Sequence, residues 1–292
     1  MTTPNHADQR AGSRTSIQNG REVNICGAAS SAPQPGMPIT HLAMLPSCQS
    51  AAPVCQAVIM AGGKGTRLYP YSATFPKPLM PLGDMPILEL LLRRMKAAGV
   101  TDVILAVNHL GHLIEAYCGD GSMFGLRIRY GREDKPLGTA GALGDIIDDL
   151  HETFFLTNGD LLTTLDIKAM AARHIATKAD ASIGVYRREH KIEFGLIEFD
   201  SESRLSAYRE KPTSTYHVSM GVYVLQREAV RPHVTAKDYL DMPNLLLNMQ
   251  AANADVRCYH DDCLWLDIGR PDDFALAQAM FEKDQSVFLT RS

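Results

Sequence analysis

The first residues that could do chemistry form a glycine-rich turn, AGGKGTRL, at positions 61–68. Three glycines allow the backbone to turn sharply and to bring its N–H groups against an anion. Lys64 and Arg67 add positive charge, and the combination suits a triphosphate. The pattern is neither a GxxxxGK(S/T) loop nor a complete GxGxxG fingerprint, so those two nucleotide-binding interpretations lose support. An ordinary glycine-rich turn between a strand and a helix is the alternative.

A second candidate is Lys77, which stands between two prolines in the stretch FPKPLMP at 75–81. Pro76 and Pro78 restrict the backbone on both sides of this lysine, so its ammonium group would be presented from a stiff loop. Preorganised positive charge is what phosphoryl-type transfer needs. The alternative is a proline-rich connector with an exposed lysine.

Two aspartates follow strand-like stretches that are far apart in the sequence. Asp160 comes after the hydrophobic residues 153–157, and Asp267 comes after Trp265 and Leu266. In open α/β sheets, strand ends of this kind border the crevice where ligands bind. Mg²⁺ takes one or two protein carboxylates and completes its octahedron with phosphate oxygens and water. The alternatives are a turn-forming role for Asp160 and a helix cap for Asp267, although Arg270, Asp272 and Asp273 lie closer to that helix start.

These motifs, in their order and spacing, resemble the signature of the sugar-1-phosphate nucleotidyltransferases, the family of nucleotide-sugar pyrophosphorylases. The resemblance covers AGGKGTRLYPYSATFPKPLMPLG at 61–83, EDKPLGTAG at 133–141, NGD at 158–160, FG at 194–195, EKP at 210–212 and WLDIG at 265–269. It extends over essentially residues 55–285, and the subfamily most similar by eye is mannose-1-phosphate guanylyltransferase. Several separated motifs in one order are more specific than any one of them.

The resemblance implies a role for each matching position. The catalytic residues it implies are Arg67, Lys77 and Asp160, and the ligands of Mg²⁺ are Asp160 and Asp267. The nucleotide-binding residues are Ala61, Gly62, Gly63, Lys64, Gly65, Thr66, Arg67, Glu133, Pro136, Gly138 and Thr139. The residues that bind the sugar phosphate are Asn158, Gly195, Glu210 and Lys211.

The choice of base depends on the loop 133–139. A carboxylate only accepts hydrogen bonds, so Glu133 would favour guanine, which offers two adjacent donors, over uracil or thymine, which offer one donor between acceptors. We therefore expect a Mg²⁺-dependent enzyme that takes GTP and mannose 1-phosphate. A solvated glutamate on a charged loop is the alternative for Glu133.

Two rival functions remain open at this point. One keeps the reaction and changes the substrates to a heptose 1-phosphate, or to another hexose 1-phosphate with UTP, dTTP or CTP. The other is a regulatory paralogue that binds nucleotide-sugars without turning them over. The presence of both acidic positions and of the basic residues Arg67, Lys77 and Lys211 argues against the second.

The elements that would position these residues alternate between strand and helix from residue 54 onwards. Apolar runs at 54–60, 102–107, 126–130 and 153–157 predict strands, and amphipathic stretches at 85–98, 110–118, 139–150, 166–178, 239–251 and 272–283 predict helices. Strand-like pieces at 181–187, 195–199, 204–209, 218–225 and 256–266 lie partly too close together for helical crossovers, which requires some antiparallel pairing. We therefore predict an α/β, Rossmann-like three-layer fold with a mixed, mainly parallel sheet and no C-terminal β-helix.

Composition and charge limit the classes of protein to which the chain could belong. Residues 1–53 are rich in small and polar residues without a sustained period, so we expect a flexible N-terminal extension, or else a partner-binding arm, before a catalytic domain at 54–292. A net charge of −4 does not indicate a protein that binds nucleic acid, and no apolar run is long enough to span a membrane. We expect a cytoplasmic protein, and the resemblance adds the expectation of a homodimer.

Overall fold

A computed structural model describes residues 54–63 and 65–290 of the chain. The predicted N-terminal extension 1–53 and the predicted phosphate-binding Lys64 lie outside the described residues. None of the helices in the described ranges is long and apolar enough to cross a bilayer.

The described chain alternates between strands and helices as the sequence predicted. The strands are β1 (Gln56–Met60), β2 (Pro81–Leu82), β3 (Met85–Pro86), β4 (Asp102–Val107), β5 (Arg127–Arg132), β6 (Thr153–Asn158), β7 (Leu161–Thr163), β8 (Ala181–Lys191), β9 (Leu196–Phe199), β10 (Leu205–Arg209), β11 (Thr213–Gln226), β12 (Val256–His260) and β13 (Trp265–Asp267). The helices are α1 (Ile87–Ala97), α2 (Gly111–Cys118), α3 (Ala142–Ile146), α4 (Ile167–Thr177), α5 (Arg227–Val230), α6 (Met242–Ala251), α7 (Pro271–Lys283) and α8 (Gln285–Thr290).

Seven strands form one mixed sheet in the order β12-β8-β11-β6-β1-β4-β5. All neighbouring pairs are parallel except those that involve β11, which runs antiparallel to β6 and to β8. The predicted mixed, mainly parallel sheet is therefore confirmed. In the sheet, β4 lies on one side of β1, and β6, which comes later in the chain, lies on the other side of β1. The strand order therefore reverses at β1. A reversal of this kind opens a crevice at the carboxyl ends of the two strands.

Helices cover both faces of this sheet, which makes three layers. Alternate residues of β1 enter different cores: Ile59 packs with the side chains of α1, and Val58 packs with those of α3 and α6. A strand buried on both faces is hydrophobic at successive positions rather than at alternate ones. This accounts for the continuous apolar run from which β1 was predicted.

Several elements differ from the sequence prediction. The helix predicted over 139–150 is replaced by the shorter α3 and a following 3₁₀ turn, and Gly141 and Gly144 lie so close to the backbone of 235–238 that a Cβ at either position would clash. The strand predicted over 256–266 is split into β12 and β13, which belong to different sheets. Strand β7 was not predicted, and it pairs with β13 in a separate two-stranded ribbon beside the main sheet.

Burial of one histidine predicts a loss of stability in mild acid. His174 is 1% exposed and its Nδ1 lies 2.9 Å from Ser182 Oγ. Burial lowers its pKa from 6.5 to about 4, and Asp180 opposes this only in part. Between these two pH values the unfolded chain binds the proton and the folded chain does not, so the free energy of unfolding should fall as the pH falls, by up to about 3 kcal/mol.

Urea unfolding from pH 7.5 to pH 4.5 checks this expectation, with His174→Gln as the variant and the exposed His112→Gln as its control. The His174→Gln protein should lose this part of the pH dependence, and His112→Gln should keep it. An unchanged pH dependence in His174→Gln would show that other groups cause it.

Candidate active site

A cleft opens where the crevice was expected, at the carboxyl ends of β1 and β6. Ala61 follows β1 and donates its N–H to Ala106 O at 2.8 Å, and Gly159 follows β6 and donates to Met60 O at 2.9 Å. The cleft has a volume of about 340 Å³. Its lining consists of Met60, Ala61, Gly62, Gly63, Arg67, Lys77, Pro78, Glu133, Pro136, Gly138, Thr139, Asn158, Asp160 and Asp267. Residues from five separate sequence motifs therefore meet in one place.

Lys77 occupies the floor of this cleft. Pro76 has an extended backbone, and Lys77 begins a short 3₁₀ turn, so the lysine enters the protein instead of pointing into solvent. Its side chain is 9% exposed, contacts the Asp160 carboxylate and places Nζ 3.7 Å from Asp267 Oδ1. The alternative of a solvated connector lysine does not describe this geometry.

The two aspartates are brought together by the small β7–β13 ribbon. Asp267 pairs with Leu161, the residue after Asp160, and Ile268 donates its N–H to Asp160 O at 3.2 Å. Partial burial and the nearby Asp160 charge raise the pKa of the Asp267 carboxyl, while Lys77 and Arg67 counteract the shift. Two carboxylates held this close in a partly buried site favour a cation between them.

The donor set at this point fits a magnesium ion. Asp160 Oδ1 is buried and has no hydrogen-bond partner among the described residues, which leaves it free to bind a cation. No cluster of three or more His, Cys, Asp or Glu side chains that could hold a metal occurs in the described part of the chain. A metal here would therefore take two protein carboxylates and complete its shell with oxygens of water and substrate, which is the habit of Mg²⁺.

Arg67 stands at the exposed rim of the cleft. Its guanidinium carbon lies 3.6 Å from the position that a Cβ would take on Gly269, directly after the Asp267 strand. Gly65 begins the turn in the left-handed region, with φ +59°, and Leu68 donates back to Gly65 O at 2.8 Å. The turn thus places Arg67 beside the carboxylate pair. The backbone of Thr66 belongs to the same 3₁₀ turn.

The loop predicted to contact a base also lines the cleft. Glu133 is half-buried, its backbone carbonyl accepts a hydrogen bond from Asn108 Nδ2 at 2.9 Å, and burial raises the pKa of its carboxyl. Its Oε2 is 3.4 Å from the Leu137 N–H, which supports the ionised form only weakly. The side chain of Glu133 therefore lines the cleft with most of its accepting capacity unused.

The same loop depends on a residue that the sequence analysis missed. Asp241 Oδ1 accepts the N–H of Thr139 at 3.1 Å, and the Thr139 hydroxyl accepts the N–H of Met242 at 2.8 Å, at the start of α6. The Thr139 side chain is therefore engaged within the protein, and the residue also lines the cleft. The sequence analysis had placed Asp241 inside the helix predicted over 239–251, whereas α6 begins at Met242 and leaves Asp241 just before its first residue.

The residues predicted to bind a sugar phosphate are divided between two places. Asn158 ends β6 and lines the cleft. Gly195 and Glu210 lie together on the exposed β9–β10 hairpin, where Tyr208 Oη donates to Glu210 Oε2 at 3.0 Å and a Cβ on Gly195 would strike that hydroxyl. Lys211 follows the hairpin with φ +44° and is exposed. Gly195, Glu210 and Lys211 are not part of the cleft wall, and their role stays a prediction.

A second cavity, of about 630 Å³, adjoins the cleft and shares Arg67 and Asp267 with it. The remaining residues of its lining are Tyr186, Arg187, Arg188, Glu189, Trp265, Leu266, Gly269, Arg270 and Asp273. The sequence analysis assigned no role to the three arginines among these. They come from β8 and from the start of α7, which are about 80 residues apart in the chain.

Comparisons with known proteins find relatives that are similar over about three quarters of this chain. Mannose-1-phosphate guanylyltransferase of Mycobacterium tuberculosis is 33% identical over 228 residues, which cover 76% of this chain and 63% of that protein. Mannose-1-phosphate guanyltransferase of Schizosaccharomyces pombe is 31% identical over 237 residues, with 77% of this chain and 64% of that protein covered. The chain thus spans less than two thirds of the length of these two relatives.

Solved structures share the fold. HddC from Yersinia pseudotuberculosis, complexed with GMP-PN, aligns with a TM-score of 0.61 at 23% identity and covers 78% of this chain and 100% of its own. A putative glucose-1-phosphate thymidylyltransferase from Bacillus anthracis aligns with a TM-score of 0.62 at 22% identity, with 78% and 95% of the two chains covered.

The family model described as nucleotidyl transferase matches residues 56–284, which include every residue of the cleft. This match covers well over half of the chain, and it begins and ends close to the limits of the resemblance found from the motifs. The chain belongs to the nucleotidyl transferase family.

Proposed function

We propose that this chain transfers a guanylyl group from GTP to mannose 1-phosphate and releases pyrophosphate. The observation that carries the proposal is the meeting of Lys77, Asp160 and Asp267 beside Arg67, in a cleft that the Glu133 loop also lines. Relatives at about 30% identity that are named mannose-1-phosphate guanylyltransferases support this choice of substrates.

The lining of the cleft offers groups that suit both the base and the phosphates of a nucleotide. The half-buried Glu133 carboxylate has accepting capacity to spare, and guanine offers it two adjacent N–H donors. An ionised carboxylate in a partly buried position is stabilised by such donors, which would offset the burial that raises its pKa. The triphosphate then extends towards the glycine turn 61–63 and Arg67, and its α-phosphate lies near Lys77 and Asp160.

The reaction needs little beyond positioning and charge. A phosphomonoester has a second pKa of about 6, so the sugar phosphate oxygen is already a nucleophile at neutral pH and needs no general base. It attacks the α-phosphorus in line, the bond to the β-phosphate oxygen breaks, and pyrophosphate leaves with that electron pair. Lys77 is held rigid beside the α-phosphate and Arg67 faces the departing phosphates, so both stabilise charge that develops during transfer.

Asp160 and Asp267 would hold Mg²⁺ in this scheme. The ion would supply electrostatic stabilisation of the phosphate oxygens. The protein contributes the β7–β13 ribbon, which fixes the separation of the two carboxylates before substrate arrives. Asn158, Gly195, Glu210 and Lys211 remain our proposed contacts to the sugar phosphate.

Pyrophosphate release from the purified protein tests the proposal. GTP, ATP, UTP, dTTP and CTP are each paired with mannose 1-phosphate, a heptose 1-phosphate and glucose 1-phosphate, with Mg²⁺ and with EDTA. We expect the highest kcat/KM for GTP with mannose 1-phosphate, and none without the metal. Greater efficiency with another pair would reassign the substrates, and tight binding of GDP-mannose without turnover of any pair would identify a regulatory paralogue.

Replacement of Gly138 should disturb nucleotide binding. Its φ is +83°, and a Cβ there would lie 2.5 Å from Leu240 O and 2.8 Å from Asp241 Oδ1. Gly138→Ala must therefore displace the loop from the segment that holds it, at a cost of about 2–4 kcal/mol in the free energy of unfolding. We expect KM for GTP to rise more than KM for the sugar phosphate, as measured by initial rates.

Gly119 provides the matched control. It also has a positive φ, of +54°, but nothing lies within 4 Å of a Cβ at this position. Gly119→Ala should therefore cost only the backbone strain, about 1–3 kcal/mol because ψ is −136°, and should leave both KM values unchanged. Equal effects of the two substitutions would show that the contact with Leu240 and Asp241 does not shape the binding loop.

A further inference from the structure

The two-stranded ribbon of β9 and β10 has one apolar face. In this ribbon Phe199 lies opposite Leu205, and Ile197 lies opposite Tyr208. Residues opposite each other in an antiparallel pair share a face, and so do residues two apart in one strand. A register shift between Leu205 and Ala207 brings Tyr208 to the same face as Leu205, although the two are three residues apart. We call Ile197, Phe199, Leu205 and Tyr208 the ribbon face.

The ribbon face is open to solvent. Its four residues are between 53% and 67% exposed, and none of them lines the cleft or the cavity beside it. The other face of the ribbon carries an ion pair between Glu198 and Arg209. The ribbon is therefore amphipathic, and its apolar side is the one that faces water.

A ribbon of this kind needs something to cover its apolar side. Within the described part of the chain, β9 and β10 pair with each other and with no other strand. A two-stranded ribbon is at best marginally stable in water, and it gains stability from a further strand or from packing against another apolar surface. Exposed apolar patches of several hundred Å² mark interaction sites.

The area of the ribbon face is sufficient for a protein interface. A large apolar residue that is a little over half exposed presents about 100–150 Å², so the four residues together present about 500 Å². Two copies packed on this face would bury about 1,000 Å² in total, which is where specific interfaces begin.

Substrate alone would not cover the ribbon face. Gly195 and Glu210, two of the proposed contacts to the sugar phosphate, lie at the base of the ribbon, where Tyr208 Oη donates to Glu210 Oε2 at 3.0 Å. Phe199 is four residues further along the strand than Gly195, which is about 13 Å in an extended chain. A single sugar ring held at the base would leave Phe199 and Leu205 exposed.

The shape and charge of the ribbon face favour a second copy of this chain. Two strands form a flat surface instead of a groove for a peptide, and the four residues carry no charge that would attract an anionic partner. A flat apolar face is complementary to another of the same kind, because a two-fold axis brings the same patch of both copies together. Ribbons can pack in this way as the sheets of a sandwich do.

We infer that two copies of this chain associate by packing their ribbon faces on each other about a two-fold axis. This inference does not depend on the proposed function, since the four residues lie outside the cleft.

Sedimentation velocity and light scattering of the full chain over a series of protein concentrations test the inference. Phe199→Glu and Leu205→Glu each place a charge in the ribbon face, and Leu205→Ile keeps its apolar character. Leu247→Glu is the matched control, because Leu247 is 60% exposed, against 66% for Leu205, and lies on α6, outside the ribbon. Urea unfolding of each variant confirms that the fold persists.

We expect a wild-type dimer whose dissociation constant rises at least about a hundredfold in each ribbon-face glutamate variant, because every substitution counts twice in a symmetric interface. Leu247→Glu and Leu205→Ile should dimerise as the wild type does. Amide hydrogen exchange in β9 and β10 should slow as the wild-type concentration rises, and should not depend on concentration in Phe199→Glu and Leu205→Glu.

A wild type that is monomeric at every concentration would overturn the inference, and so would a dimer that both ribbon-face glutamate variants retain. Slow exchange of the ribbon in a monomeric wild type would assign the face to another segment of the same chain. Slow exchange that appears only with GTP and mannose 1-phosphate, without a dimer, would assign it to closure over substrate. Either result would also refute packing between two copies.

Discussion

Asp160→Asn should lower kcat about 10²- to 10³-fold and leave the fold intact. The substitution is nearly isosteric, and an asparagine oxygen can still accept the hydrogen bond from Lys77. Its amide would, however, place N–H donors at the position of the buried, unpartnered Oδ1. The site then loses one negative charge and gains donors that repel a cation, so the affinity for Mg²⁺ should fall together with turnover.

The test combines pyrophosphate release across a Mg²⁺ series with urea unfolding. Asp84→Asn is the control, because Asp84 is exposed in the β2–β3 turn, away from the cleft, and makes the same change of charge. The free energy of unfolding of Asp160→Asn should stay within about 1 kcal/mol of wild type. Turnover close to that of Asp84→Asn at every Mg²⁺ concentration would remove Asp160 from the metal site.

The sheet was predictable because its strands are buried on both faces. β1, β4 and β6 are continuous apolar runs, and the helices between them have apolar residues at helical spacing, so local pattern and final fold agree. The separation of β12 from β13 was not predictable in the same way. Asp261 and Asp262 suit a turn but also fit a hairpin, and only the pairing of β13 with β7 shows that the chain changes sheet there.

The candidate site was predictable where all the residues that form one part of it lie within a single sequence motif. The glycine turn, Lys77 between its prolines, and the loop 133–139 are each local, and residues 61–63, Arg67, Lys77, Glu133, Pro136, Gly138 and Thr139 of these motifs line the cleft. The meeting of Asp160 with Asp267 was implied by the resemblance, and its physical cause, a two-stranded ribbon outside the main sheet, appears only in three dimensions.

The arginines of the second cavity show where sequence reasoning ends. Arg188 lies in a run of charged residues, RREHK at 187–191, in which nothing local separates an unpaired side chain from its ion-paired neighbour Arg187. Arg270 is as easily interpreted as a residue at a helix start. Their shared cavity depends on the outward extension of β8 and on the position of α7, and neither is encoded by spacing along the chain.

Lys77→Met should damage both turnover and the stability of the metal-free protein. The Lys77 ammonium is almost fully buried and separates two carboxylates that otherwise face each other. Its removal leaves like charges in a partly buried site, which should lower the free energy of unfolding by about 2 kcal/mol at neutral pH. The exposed Lys168→Met is the control for loss of one charge from a lysine, and should be close to neutral.

Two further measurements separate electrostatics from packing in this variant. Since Asp267 already has a raised pKa and would lose the opposing charge of Lys77, the folded variant should bind protons that the unfolded chain releases. The stability deficit should therefore shrink as the pH falls towards 4.

Added Mg²⁺ should also restore stability, because it binds the folded carboxylate pair and not the unfolded chain. Turnover should nevertheless stay about 10²- to 10³-fold below wild type at saturating Mg²⁺, because the fixed charge beside the α-phosphate is gone. A deficit that neither acid nor Mg²⁺ reduces would mean that Lys77 supports the cleft by packing alone.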